Sequence, residues 1–133
     1  MLVISLLAGL LSSMNIWTIS KSHMRLHMND LYMALLMTAW MVTLHNIQMN
    51  NLTNVFIGFV AVCVITFLIR RQYLVTEDQY IKGMIPHHSM AVLMSEEIKN
   101  KTSNPKIIDL ANRIISSQTK EIKEMEELER LGV

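Results

Sequence analysis

The stretch MIPHHSMAVLM, residues 84–94, combines two adjacent histidines with three methionines. When each residue advances by about 100° around a helix, six side chains of this region share one third of the circumference. They are Met84, His87, His88, Ala91, Met94 and Ile98, whereas Met90 falls outside this face. A buried imidazole needs a hydrogen-bond partner or a metal ion. The pattern predicts a metal site here, with a pair of hydrogen-bonded core histidines as the alternative. Its candidate ligands are Met84, His87, His88 and Met94.

The following helix adds a carboxylate to the same region. Its apolar stripe consists of Ile107, Leu110, Ile114, Met125 and Leu128. Glu121 falls in the middle of this stripe, where a carboxylate needs a cation, a donor or a proton. The partner of this carboxylate would be His87, His88 or a metal ion bound on the facing helix. The alternative is that Glu121 is solvated at a splayed end of the helix pair.

A second group of methionines and histidines lies in the first half of the chain. Its members are His23, His27, Met33, Met37, Met41 and His45, of which the last four recur every four residues. Thioether and imidazole ligands suit Cu(I), whereas magnesium and calcium need oxygen ligands. Ordinary side-chain packing is the favoured interpretation of this group, with a secondary metal path as the alternative. The predicted metal is therefore copper as Cu(I), and no organic cofactor is expected.

The elements that carry these residues divide the chain into two parts. Hydrophobic residues make up 51% of the sequence and charged residues only 17%, most of them after residue 69. Three apolar stretches, at about 2–19, 31–47 and 52–69, have the length that spans a hydrocarbon core of about 30 Å. The first lacks a basic segment and a cleavage site of small residues, so we interpret it as a retained helix. Residues 1–75 are predicted to form a transmembrane region, in contact with membrane lipid.

The distribution of basic residues predicts the orientation of this membrane region. Lys21 and Arg25 lie between the first two stretches, and Arg70 and Arg71 follow the third. By the positive-inside rule the C-terminal part is then cytoplasmic. A net charge of +1 without a clustered basic face argues against nucleic-acid binding. The single cysteine, Cys63, excludes a disulfide within the chain and a multi-thiolate zinc site.

Residues 76–133 are predicted to form a hairpin of two helices, and the whole chain is predicted to be all-α. Thr76 followed by Gln79 fits a capping box, so the first helix begins near residue 77 and runs to about residue 100. Asn104 is the predicted N-cap of the second helix, which runs from residue 105 to about 131. Pro86 predicts a kink in the first helix. Alternatively, that helix begins only at Pro86.

The segments YIKGMIPHHSMAVLMSEEI and NPKIIDLANRIISSQTKEIKEM resemble the DUF305 family, a ferritin-like helical family. The resemblance covers about Asp78 to Met125. LYMALLMTAWMV and RRQYLV are similar to a membrane-bound subgroup that has three helices ahead of this domain. Members are often associated with the handling of copper and other heavy metals. The resemblance implies metal-binding roles for Met84, His87, His88, Met94 and Met125.

The ferritin-like resemblance has three further implications. A di-iron site would need Glu-x-x-His pairs, and the residues three before His87 and His88 are Met84 and Ile85, so di-iron chemistry is not expected. Two helices are half of a four-helix bundle, and a homodimer or higher homo-oligomer would complete it. Copper-handling relatives act outside the cytoplasm, in conflict with the charge-based orientation.

These observations together predict an integral membrane protein that is not an enzyme. It would capture Cu(I) for copper tolerance or trafficking, through a methionine and histidine site to which the facing helix contributes Met125 and Glu121. One alternative is a metal transporter or permeation accessory that uses the methionine stripe of the second membrane helix. Another is a purely structural oligomerisation module.

Overall fold

The computed structural model describes residues 2–132, and these residues form helices and turns without a β-strand. The five α-helices are α1, Leu2–Leu11; α2, Met28–Gln48; α3, Leu52–Arg70; α4, Glu77–Lys101; and α5, Pro105–Leu131. Two short 3₁₀ turns, Met14–Trp17 and Lys21–His23, lie between α1 and α2. The predicted all-α class is confirmed.

The chain forms two compact units. Unit 1 contains α1, α2 and α3, with residues up to Ser13 and from Met28 to Val75. Unit 2 contains the hairpin from Thr76 onward together with Met14–His27, a segment that we call the strap. The strap lies within the predicted transmembrane region of residues 1–75, and in the structure it packs with the hairpin.

The first apolar stretch forms a shorter helix than the predicted 2–19. The last helical hydrogen bond joins the amide of Ser12 to the carbonyl of Ala8, 2.9 Å apart. Beyond it, the Asn15 side chain accepts from the amide of Arg25 at 2.7 Å and donates to the carbonyl of Arg25 at 2.8 Å. This buried pair of bonds closes the strap into a loop. The helix therefore ends at Leu11, and the polar residues after it form a loop that the two bonds between Asn15 and Arg25 close.

Among the described residues, only α3 is both long and apolar enough to cross a membrane. It has 19 residues, and it ends at Arg70 as predicted. The helix α2 begins three residues before the predicted start, at Met28, and ends at Gln48. The second and third predicted stretches thus correspond to helices, and one of them meets the criteria for a membrane span.

In unit 1, α2 packs against both α1 and α3, and the two contacts are made where a glycine meets a small residue. A Cβ atom on Gly9 of α1 would lie 2.7 Å from the Cα of Ala34. A Cβ on Gly58 of α3 would overlap the hydroxyl of Thr43 and lie 3.1 Å from its backbone nitrogen. The hydroxyl of Thr43 donates to the carbonyl of Ala39, which holds it in place. The helix axes can approach this closely only because neither glycine has a side chain.

In unit 2, α4 and α5 form an antiparallel hairpin whose ends are capped as predicted. The hydroxyl of Thr76 accepts from the amide of Gln79, and the side chain of Asn104 accepts from the amide of Lys106. Gly132 ends α5 in the left-handed conformation, with φ of 77°. Helix α4 begins at Glu77 and continues through Pro86, which is fully buried. The alternative start at Pro86 is therefore wrong.

The close approach of α2 and α3 generates a stability prediction. We expect Gly58→Ala to lower the free energy of unfolding by about 1–3 kcal/mol, because the added methyl overlaps Thr43. The matched control is Gly83→Ala in α4, where the methyl would meet only the His27 ring, at 3.4 Å. Thermal unfolding in detergent measures both. Equal melting temperatures for the two variants would contradict the prediction.

Candidate metal centre

The buried face of α4 differs from the predicted one. Its fully or nearly buried residues are Ile81, Ile85, Pro86, Ser89, Val92 and Ser95. This face is turned by about 100° from the predicted one, since residues advance by about that angle in a helix. The reason is the strap, which packs on α4 beside α5, so that burial is greatest between these two neighbours. His88 and Met84 lie at the edge of the buried face and are partly buried, whereas His87 is exposed.

The best-defined polar contact of the predicted site joins His88 of α4 to Glu121 of α5. Nδ1 of His88 lies 2.9 Å from Oε2 of Glu121, and the His88 side chain is only 12% exposed. The contact has ion-pair distance, but its angles are not those of a hydrogen bond. The other carboxylate oxygen of Glu121 accepts from the hydroxyl of Ser117 at 2.8 Å. Helix α4 thus provides His88 as a partner for Glu121, and His88 is one of the partners that the sequence predicted.

The environment of His88 favours its neutral form. Burial, the largest influence, lowers the pKa of His88 from the usual 6.5. The carboxylate of Glu121 acts in the opposite direction, and the neighbouring His87 lowers the pKa further. A neutral imidazole is the form that can coordinate a metal ion.

Three further candidate residues, His87, Met84 and Met125, lie within about one helical turn of this contact along their helices. The rings of His87 and His88 have centroids 5.9 Å apart. Met84 precedes these histidines by one helical turn and is partly buried. Met125 follows Glu121 by one turn and is also partly buried. Because α4 and α5 run antiparallel and His88 meets Glu121, Met125 lies opposite the turn that carries Met84.

Met94 does not belong to this group. It lies six residues beyond His88, which is about 9 Å along a helix with a rise of 1.5 Å per residue. Its side chain is 57% exposed. It lines an apolar groove near the hairpin turn, together with Trp17 and Ile98. The structure therefore separates Met94 from the other candidate ligands.

The strap brings two more histidines to the hairpin, a feature that the sequence analysis missed. Nδ1 of His23 lies 2.9 Å from the hydroxyl oxygen of Ser89, and its Nε2 lies 3.8 Å from Glu126. The same hydroxyl oxygen accepts from the amide of Ile19 at 2.9 Å. That bond leaves the hydroxyl proton and one lone pair of Ser89 available to Nδ1 of His23, so the contact can form with either tautomer of the ring. Ser89 is fully buried, so this serine, histidine and glutamate tether the strap and do not expose a nucleophile.

Two other contacts complete the attachment of the strap. The guanidinium of Arg25 makes a bidentate bond to Glu129, with Nε and Nη2 about 3 Å from the carboxylate oxygens. The ring of His27 lies against Gly83, where a Cβ would be 3.4 Å from Nδ1. His23 and His27 were predicted to belong to a path in the membrane half. In the structure both histidines belong to unit 2, where they pack with the hairpin.

The remaining members of the predicted path do not line an enclosed channel within unit 1. Met33 is 58% exposed and Met41 is 42% exposed. His45 is exposed as well. Met37 is partly buried, with its terminal methyl near Gly9. Met33, Met41 and His45 thus lie on the outside of the three-helix unit, whereas Met37 packs between α2 and α1.

No group of three or more histidine, cysteine or carboxylate side chains within residues 2–132 is arranged to hold a metal ion. The group around His88 contributes two imidazoles and one carboxylate that already has protein partners. Methionine sulfur is the other ligand type that this group offers. The candidate thioethers within one helical turn of His88 or Glu121 are those of Met84 and Met125.

The helical hairpin and its residues define the class of the protein. Residues 64–129 match the family described as "Domain of unknown function (DUF305)". The chain belongs to the DUF305 family, and the match begins within α3, ahead of the segment in which the resemblance was noted. The chain is similar to the "Uncharacterized protein L153" of Acanthamoeba polyphaga mimivirus, with 45% identity over 130 residues. These residues cover 94% of this chain and 86% of the relative. No solved structure matches.

The tether at Ser89 predicts the cost of releasing the strap. We expect Ser89→Ala to lower the free energy of unfolding by about 1–3 kcal/mol, because the amide of Ile19 and the ring of His23 both lose a buried partner. Ser116→Ala, at an exposed site on α5, is the control. Proteolysis of the strap and thermal unfolding report the effect. A Ser89 variant as resistant as the control would refute the tether.

The burial of His88 predicts a pH dependence of stability for the metal-free protein. Since its pKa is lowered on folding, the unfolded chain binds the proton more readily and His88 destabilises the fold as the pH falls below 6.5. Above that pH both states are neutral and the effect vanishes. We expect His88→Gln to reduce the loss of stability on acidification, measured by unfolding after treatment with a chelator. Identical pH profiles for the variant and the wild type would contradict this.

Proposed function

We propose that this protein is an integral membrane protein that binds Cu(I) through the hairpin of unit 2, for copper tolerance or trafficking. The observation that carries the proposal is the contact between His88 and Glu121. His87, Met84 and Met125 lie within about one helical turn of it along the two helices. We propose these two histidines and two methionines as ligands. The proposed role is binding and not catalysis; Ser89, which lies 2.9 Å from the ring of His23, is buried and tethers the strap.

The ligand types support copper in its reduced state. Thioether sulfur and neutral imidazole prefer soft to intermediate cations, and the lowered pKa of His88 supports its neutral form. Magnesium and calcium prefer several oxygen ligands, and only Glu121 offers a carboxylate at this level. Both oxygens of that carboxylate have protein partners. Glu121 is therefore better suited to orient His88 than to bind the ion itself.

The membrane location rests mainly on α3, which is 19 residues long and apolar. Packed beside it, α2 exposes large apolar side chains such as Trp40 and Leu44, and α1 exposes Leu2, Ile4 and Leu11. We include all three helices in the membrane region, although α1 alone is too short to span it. The proposal holds for a hairpin on either side of the membrane, and it includes a homo-oligomer.

The two alternative functions have less support. A transport path along α2 would need additional copies of the chain, because Met33 and Met41 are exposed on the outside of unit 1. A purely structural oligomerisation module gives no reason for two histidines beside a carboxylate. The structural module would differ from the proposed function in that the purified protein would bind no metal.

A competition titration with a Cu(I) chelator tests the proposal on the full chain, purified in mild detergent under reducing conditions. We expect stoichiometric binding that weakens by roughly tenfold or more in His88→Ala and in Met84→Leu, since even the loss of an outer partner costs about tenfold. Met90→Leu is the matched control, because Met90 lies off the face that carries the candidate ligands. Met94→Leu should also retain affinity. Binding unchanged by the His88 and Met84 substitutions would refute the site.

A further inference from the structure

The hairpin of unit 2 has one long, partly exposed face that lies away from the strap along most of its length, with Trp17 of the strap beside its end near the hairpin turn. On α4 this face carries Met84, His87, Ala91, Met94 and Ile98, and on α5 it carries Ile107, Leu110, Ile114, Met125 and Leu128. Burial is greatest on the other side of α4, between α5 and the strap. We propose that a second copy of this chain docks on this face and that the metal site is shared between the two copies. This inference rests on the function proposed above.

The residues on the face are those of an interface and not of a solvated surface. Met94 is 57% exposed, Leu110 is 44% exposed and Ile98 is 42% exposed. None of the face residues between Met84 and Ile98, or between Ile107 and Ile114, is charged. A groove of about 530 Å³ lies here, lined mainly by apolar side chains such as Ile98 and Leu110, with Trp17 of the strap and the charged Glu97 and Lys101 also on its wall. Contiguous apolar surface of this kind marks a docking site.

The dimensions of the face fit a dimer. Helix α4 has 25 residues and is therefore about 37 Å long. Two packed helices lie about 9 Å apart and are about 10 Å thick, which gives a width of roughly 20 Å. The footprint is then roughly 700 Å² on each copy, close to the about 800 Å² per partner of a standard stable interface.

The ligand set supplies the reason why the partner is a second copy. One chain holds no group of three histidine, cysteine or carboxylate ligands within residues 2–132. It offers an exposed His87 at the edge of the face, beside the partly buried His88. A two-fold axis parallel to the hairpin places the His87 side chains of both copies at the same level. The second copy then places its imidazole and thioether groups beside those of the first, so that ligands from both copies share the ion.

Cross-linking tests the docking face directly on the full chain. In a Cys63→Ser background, Ile98→Cys and Leu110→Cys lie on the face, whereas Asn100→Cys and Asn112→Cys lie two residues further along the same helices and point elsewhere. We expect a bismaleimide reagent to cross-link the first pair of variants in detergent. At the same protein concentration the second pair should run as uncross-linked chains under denaturing conditions. Equal cross-linking of both pairs would overturn the docking face.

A double variant, Ile98→Glu with Leu110→Glu, tests the sharing of the site. Both residues lie about 15 Å along their helices from His88 and Glu121, so they cannot bind the same ion. We expect this variant to be monomeric in size-exclusion chromatography with light scattering, to keep its helical circular dichroism, and to lose about tenfold or more in Cu(I) affinity. The control His87→Ala should lose affinity but remain dimeric.

The outcomes separate the two proposals. A folded, monomeric double variant that binds Cu(I) as tightly as the wild type would overturn the shared site and leave the proposed function intact. A wild-type dimer that cross-links at Ile98 but takes up no Cu(I) would overturn the proposed function and, with it, the sharing of a metal.

Discussion

The arrangement of unit 2 depends on how α4 is buried between two neighbours. Its hydroxyl at Ser89 lies at the centre of the buried face and holds the strap through Ile19 and His23. A polar group in this position stays buried only because both of its bonds are made. Since the strap occupies one side of α4, α5 is restricted to the other. The rotation of α4 follows, and with it the side on which His87, His88 and Met84 lie.

This rotation explains which features could be predicted from the sequence. The ends of α4 and α5 were predicted within a residue or two, because caps such as Thr76 and Asn104 act through bonds to residues only two or three positions away. The buried face of α4 was not predicted correctly, because its position depends on the bond between Ile19 and Ser89, which are 70 residues apart. Nothing in the spacing of the strap residues signals that contact.

The same distinction applies to the candidate ligands. The pairing of Glu121 with an imidazole of α4 could be predicted, since a carboxylate in an apolar stripe needs a partner. The exclusion of Met94 could not be derived from angle alone. A helical wheel ignores the rise along the axis, and about 9 Å separates Met94 from His88 along the helix. Angle together with rise places Met125, on the facing helix, within one turn of the contact between His88 and Glu121.

The chemistry of His88 is set by two opposing influences. Burial lowers its pKa and favours the neutral ring, whereas the carboxylate of Glu121 raises it. Burial is the larger influence, so the ring can offer a nitrogen lone pair while the carboxylate still fixes its orientation. With Nδ1 facing Glu121, Nε2 is the nitrogen that the proposed coordination would use, as in metal sites where a carboxylate holds a ligating histidine. Replacing Glu121 by glutamine would remove the charge but keep an oxygen near Nδ1, so orientation would be largely retained and the opposition to burial lost.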